Sequence, residues 1–70
     1  MLTERESQVL EAIVNYIEVN GYSPTVRDLC VIVGLSSSST IHSYLNKLES
    51  KGFITKMGNL PRTLKVLKEK

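Results

Sequence analysis

Residues 23–54 read SPTVRDLCVIVGLSSSSTIHSYLNKLESKGFI, and this stretch decides the fold of the chain. Pro24 disfavours the α conformation for the residue before it, and Thr25 can then act as an N-cap by accepting from the amide near Asp28. A helix is therefore predicted to begin at Val26, and Gly34 can end it in the left-handed conformation after about two turns. Its apolar residues recur at helical spacing: Val26, Leu29, Cys30 and Val33.

A longer helix is predicted after the hydroxyl-rich residues 36–40, because serine and threonine side chains can cap a helix. This helix ends near Gly52, and its inward stripe has helical spacing: Ile41, Tyr44, Leu45 and Leu48. Only a short connection separates the two helices. That layout is typical of a helix-turn-helix, in which two short helices cross at a steep angle.

A further helix is predicted before this pair, from Thr3 to about Asn20. Thr3 and Glu6 match the Ser/Thr-x-x-Glu capping box, and Gly21 can end the helix. One of its faces is apolar: Leu10, Ile13, Val14 and Ile17.

The residues after Gly52 change from helical periodicity to β-branched and aromatic types. They predict one strand over residues 53–57 and a second over residues 63–67, joined by an irregular turn at Gly58 and Asn59. The expected fold class is mainly α with a small β-hairpin. It is a three-helix winged helix-turn-helix that occupies the 70 residues as a single domain.

Composition excludes several classes of protein. No long apolar run or charged leader is present, so we expect a cytoplasmic protein with no membrane span. The single cysteine, Cys30, cannot form an internal disulfide and is interpreted as a small core residue. His42 and Cys30 are too few ligands for an ordinary zinc site, and the serines have no general base at an evident spacing. We therefore expect no enzyme activity, no metal, no cofactor and no small-molecule substrate.

The charges are segregated along the chain. Residues 1–37 carry two basic groups against five acidic ones, whereas residues 38–70 carry seven basic groups against two acidic ones. A polyanion would be attracted to the C-terminal half, and release of its counterions would make binding sensitive to salt. The strongest basic candidates for such contacts are Lys47, Lys51, Lys56 and Arg62.

If the aliphatic stripe of the third helix faces the core, its outward face carries mostly short polar side chains: Ser39, Thr40, His42, Ser43, Asn46 and Lys47. Such side chains let a helix approach base edges closely in the major groove. Many surface helices expose similar residues, so its position as the second helix of the pair is what favours DNA reading. Lys56, Asn59 and Arg62 would form a basic wing beside it, although basic hairpins also serve solubility.

Nearly the whole chain resembles the N-terminal DNA-binding domain of the LexA repressor family of the bacterial SOS response. The resemblance rests on Leu2-Thr3 with Arg5, on residues 21–29, 33–35 and 37–42, and on Leu48-Glu49, Lys51-Gly52-Phe53-Ile54 and Pro61-Arg62. The Ser-Ser-Ser-Thr-Ile-His run is similar to the Gram-positive form. The resemblance implies a transcriptional repressor whose third helix enters the major groove of double-stranded DNA. Its matching base-reading positions are Ser37, Ser39, Thr40, His42 and Ser43, and Arg27 in the matched stretch is added as a DNA-binding candidate.

Family members continue into a second domain with an Ala-Gly cleavage site, a Ser-Lys dyad and the main dimer interface. These features are not found in the 70 residues, so we expect no self-cleavage by this chain. The sequence is compatible with an excised domain or with a free-standing short protein. A homodimer on a palindromic operator is one expectation, since a single half-site should bind weakly. The alternative function is a winged-helix interaction module that binds a repressor or polymerase subunit.

Overall fold

The computed structural model describes residues 2–57 and 62–68. Three helices are followed by a two-stranded antiparallel sheet, which confirms the predicted winged helix-turn-helix. The elements are α1 (Glu4–Asn20), α2 (Val26–Val33), α3 (Ser38–Ser50), β1 (Ile54–Thr55) and β2 (Lys65–Val66). Within the described residues, no helix is long and apolar enough to cross a membrane.

Reciprocal capping boxes fix the starts of the first two helices. The Thr3 hydroxyl accepts from the Glu6 amide at 3.2 Å, and the Glu6 carboxylate accepts from the Thr3 amide at 3.0 Å. Thr25 and Asp28 repeat this arrangement at 3.1 and 3.0 Å. Each pair satisfies two backbone N–H groups that would otherwise lack partners at the start of a helix, so both helices begin where the sequence predicted.

The start of α3 differs from the other two. Ser37 is the N-cap residue, but its side chain makes no capping hydrogen bond. The expectation that a hydroxyl of the serine tract would cap this helix is therefore wrong in detail. The first turn of α3 also lacks acidic residues, whereas α1 has Glu4 and Glu6 there and α2 has Asp28.

The core lies where the three helices and the first strand meet. Every element except β2 contributes buried apolar side chains: Val9, Leu10, Ala12, Ile13, Leu29, Ile41, Leu45, Leu48 and Ile54. The predicted inward stripe of α3 is confirmed, with Tyr44 half-buried at its edge. In α2 only Leu29 is fully buried, and the rest of the predicted stripe packs around the core as partly buried residues.

The hairpin is shorter than predicted. Strand pairing is confined to two residues on each side, with Ile54 opposite Val66 and Thr55 opposite Lys65. Beyond that ladder, the Met57 amide donates to the Thr63 hydroxyl at 3.1 Å, so a side chain takes the place of a strand partner. The predicted strands over 53–57 and 63–67 were therefore too long, and the predicted turn at Gly58 and Asn59 lies outside the described residues.

Candidate nucleic-acid interface

The outward face of α3 carries the polar side chains predicted for it. Ile41, Leu45 and Leu48 are at most 2% exposed, which fixes the rotation of the helix about its axis. The opposite face is consequently directed to solvent. Its exposed residues are Ser39, His42, Ser43, Asn46 and Lys47; Ser37 is exposed just before the helix, and Thr40 is half-buried.

These exposed residues lie along one side of the helix. Ser39, His42, Ser43 and Asn46 are separated by three or four residues, so they lie above one another on successive turns. The first turns carry only short hydroxyl side chains and one imidazole, and the aliphatic stripe is fully hidden. A polar ridge with little bulk at its N-terminal end can approach a groove closely.

In the described part of the hairpin, Lys56 contacts this ridge. Lys56 follows β1, and its Nζ donates to Asn46 Oδ1 at 2.9 Å. This hydrogen bond joins the residue that follows β1 to the outward face of α3. The sequence placed both residues among the DNA-binding candidates but gave no indication that they pair.

Lys51 is held by the first helix. Its Nζ lies 2.7 Å from Glu6 Oε1, and the Glu6 side chain is only 3% exposed. The hydrogen bond from Lys51, followed by that from the Thr3 amide, holds the pKa of Glu6 below its ordinary value. Glu6 therefore binds the start of α1 and the end of α3 at once, and the ammonium of Lys51 is directed to the body of the domain.

Arg62 is also engaged by the body of the domain. Its Nη1 donates to the Tyr16 hydroxyl at 3.2 Å and to the Ser23 carbonyl oxygen at 3.1 Å, and lies 3.5 Å from Asp28 Oδ2. The guanidinium stacks over Tyr22, 4.7 Å from the ring centroid. The hydrogen bond to Tyr16 raises the pKa of Arg62.

This group of contacts anchors the end of the wing to the corner between α1 and α2. Arg62 adopts a positive φ of 58°, a backbone conformation that is unfavourable for a residue with a Cβ, and the side-chain contacts offset that cost. No feature of the sequence predicted these contacts of Arg62. Tyr16 and Tyr22 meet edge to face where Gly21 ends α1 and turns the chain.

The remaining candidates are placed as follows. Arg27 is exposed in the first turn of α2, and Asn59 lies outside the described residues. In the part of the chain that the structure describes, no group of three or more His, Cys, Asp or Glu side chains could hold a metal ion. The site thus consists of hydrogen-bonding and cationic groups on a helix and its adjoining hairpin.

Three helices, a short antiparallel hairpin and an exposed polar ridge on the third helix define a winged helix-turn-helix of the nucleic-acid-binding class. Residues 1–63 match the family model described as the LexA DNA binding domain. The chain therefore belongs to the LexA DNA-binding domain family.

Individual relatives agree with this assignment. The chain is 50% identical over 66 residues to the LexA repressor of Clostridioides difficile, covering 94% of this chain and 31% of that protein. It is 46% identical over 67 residues to the LexA repressor of Desulforamulus reducens, with 96% and 31% covered. For the LexA repressor of Carboxydothermus hydrogenoformans the identity is 43% over 70 residues, with 100% and 34% covered. The chain spans about a third of the length of these relatives.

Proposed function

We propose that this chain is the DNA-reading part of a LexA-type transcriptional repressor and that it binds double-stranded DNA sequence-specifically through α3. The observation that carries the proposal is the exposed polar ridge of α3 in a chain of the LexA DNA-binding domain family. The residues proposed to read base edges are Ser37, Ser39, Thr40, His42 and Ser43. Their hydroxyl and imidazole groups can donate to and accept from bases in the major groove.

The start of α3 supports the approach of a phosphate. The Ser37 side chain does not cap the amides of the first turn, and no carboxylate lies in that turn to repel an anion. Unsatisfied amides at a helix N-terminus attract anions through direct hydrogen bonds and through the helix dipole. The carboxylates in the first turns of α1 and α2 would oppose a phosphate at those helices.

We assign the phosphate contacts to a smaller set of cations than the sequence predicted. Lys47 and Arg27 are exposed and are the proposed contacts, with Lys56 adding positive charge beside the ridge. Lys51 and Arg62 are proposed to act indirectly, by holding α3 and the wing against the body of the domain. A role for Asn59 at a phosphate stays a prediction.

Assembly and regulation belong to the same proposal. We infer that two copies occupy a palindromic operator, because one small reader supplies too few contacts for tight binding. The SOS response is the proposed regulatory setting, which follows from the family resemblance of the chain to LexA repressors. The comparisons give no support to the alternative of a protein-interaction module.

Selection of bound sequences from a random duplex pool, followed by a salt titration on the selected duplex, tests this function. We expect an enriched motif, repeated as a palindrome if two copies bind. If one domain contacts about three phosphates, the logarithm of affinity should fall against the logarithm of salt concentration with a slope of roughly −3. Absence of an enriched motif, or binding that is insensitive to salt, would contradict the proposal.

A further inference from the structure

The hydrogen bond between Lys56 and Asn46 fixes which side of the Asn46 carboxamide faces outward. An ammonium group has donors and no acceptor, so the atom that Asn46 presents to Lys56 Nζ at 2.9 Å must be the carbonyl oxygen. The two N–H donors of the Asn46 Nδ2 group then point away from the lysine. Rotating the carboxamide so that its oxygen replaces these donors would break the charge-assisted hydrogen bond to Lys56.

The position of Asn46 makes this orientation relevant to recognition. Asn46 is exposed and lies one turn beyond His42 and Ser43, on the same side of α3. Lys56 is only partly exposed and directly follows strand β1, which packs beside α3, so its ammonium reaches the amide from the hairpin side. The donors of Asn46 are consequently presented on the ridge proposed to face DNA.

We propose that Lys56 is a positioning residue that makes Asn46 a reader of guanine. Asparagine commonly reads adenine with both ends of its amide, since the oxygen accepts from the adenine amino group while the nitrogen donates to N7. With its oxygen turned toward the ammonium of Lys56, Asn46 presents its two N–H donors on the open side of the ridge. Guanine presents two adjacent acceptors, N7 and O6, whereas the amino group of adenine would meet an N–H donor. This inference rests on the proposed function and adds a base preference to it.

The decisive measurement is the base preference of the 70-residue chain at the position that Asn46 reads. Fluorescence anisotropy is measured on the selected duplex and on its single base-pair variants, and that position is identified as the one whose preference is lost in Asn46→Ala. Lys56→Met removes the ammonium and keeps most of the aliphatic stem. We expect it to reduce the preference for guanine over adenine there by about three- to tenfold, the value of one ordinary hydrogen bond.

Two matched variants separate positioning from loss of charge. Lys56→Arg still presents only donors to Asn46 and should retain the preference for guanine. Lys47→Met removes an exposed lysine of the same helix and should weaken binding to all duplexes alike while flattening the salt dependence. Circular dichroism melts of all variants establish that they are folded.

Several outcomes would overturn the inference. One is a uniform loss of affinity in Lys56→Met that matches the loss in Lys47→Met. Another is an Asn46→Ala variant that changes preference at no position, and a third is a wild-type preference for adenine at the Asn46 position.

Nuclear magnetic resonance of the free chain distinguishes failure of this inference from failure of the proposed function. The Asn46 carboxamide carbon should shift in Lys56→Met and stay unchanged in Lys47→Met, because only the former removes the donor to its oxygen. An unchanged resonance in Lys56→Met overturns the positioning role whether or not DNA binds. The expected shift in a chain that binds no duplex upholds the pairing and contradicts the proposed function instead.

Discussion

Replacing Ile41 by valine removes one methyl group from the buried side of the recognition helix, where the side chain is 0% exposed. Such a deletion in a packed core costs about 0.5–1.5 kcal/mol of stability, because the free energy of removing the lost group from water is forfeited and the small void that it leaves adds a further cost. For a domain of this size, 1 kcal/mol corresponds to roughly 4–8 °C, so the midpoint should fall by about 2–12 °C. Thermal unfolding followed by circular dichroism measures this loss.

Ile32→Val is the matched control. Ile32 also lies in a helix, but its side chain is 50% exposed, so the same change in helix propensity occurs with less loss of burial. Its cost should stay within about 0.5 kcal/mol. Equal losses in the two variants, or a larger loss for Ile32→Val, would refute the assigned rotation of α3.

The remaining predictions concern the caps, the ion pair and the wing. Thr25→Ala should lower the free energy of unfolding by about 1 kcal/mol because α2 loses its N-cap, whereas Thr25→Ser should be nearly neutral in chemical denaturation. The folded-state pKa of Glu6 lies below its ordinary value of 4.5, so its stabilising contribution is present above that pH and is lost as the pH falls through the folded-state pKa. In Glu6→Gln the free energy of unfolding should therefore fall less steeply as the pH is lowered from about 6 to about 3. An unchanged dependence on pH would argue against the pair with Lys51. Arg62→Lys keeps the charge but cannot reproduce the planar stacking and hydrogen bonding of the guanidinium. Hydrogen exchange of the Leu67 amide, which bonds to the Phe53 carbonyl, should therefore accelerate while the amides of α3 stay protected. Equal acceleration in α3 would contradict a role confined to the wing.

Local patterns predicted the helices because their ends are determined by neighbouring residues. Thr3 and Thr25 each find a carboxylate three positions later, and Gly21 and Gly34 take the left-handed conformation that ends the helix. The inward stripe of α3 likewise follows from spacing alone. The boundaries of α1 and α2 and the identity of the exposed ridge could therefore be read from the sequence, whereas the cap at the start of α3 could not.

The partners of the long cationic side chains could not be predicted in this way. Lys51 binds Glu6 across 45 positions of sequence, and Arg62 reaches Tyr16 across 46. These pairs depend on how the elements pack, and a basic residue in a sequence carries no sign of whether a tertiary carboxylate or a phosphate will bind it. The hairpin was overestimated for a related reason, since β-branched residues indicate strand propensity but not where a partner strand ends.

The central claim is that DNA contacts the exposed ridge of α3, and intermolecular nuclear Overhauser effects between the isotopically labelled chain and a selected duplex test it most directly. We predict contacts from the side chains of Ser39, His42 and Ser43 to base protons in the major groove. Contacts confined to another surface, such as the exposed Val31 and Ile32 of α2, with none from α3, would contradict the account.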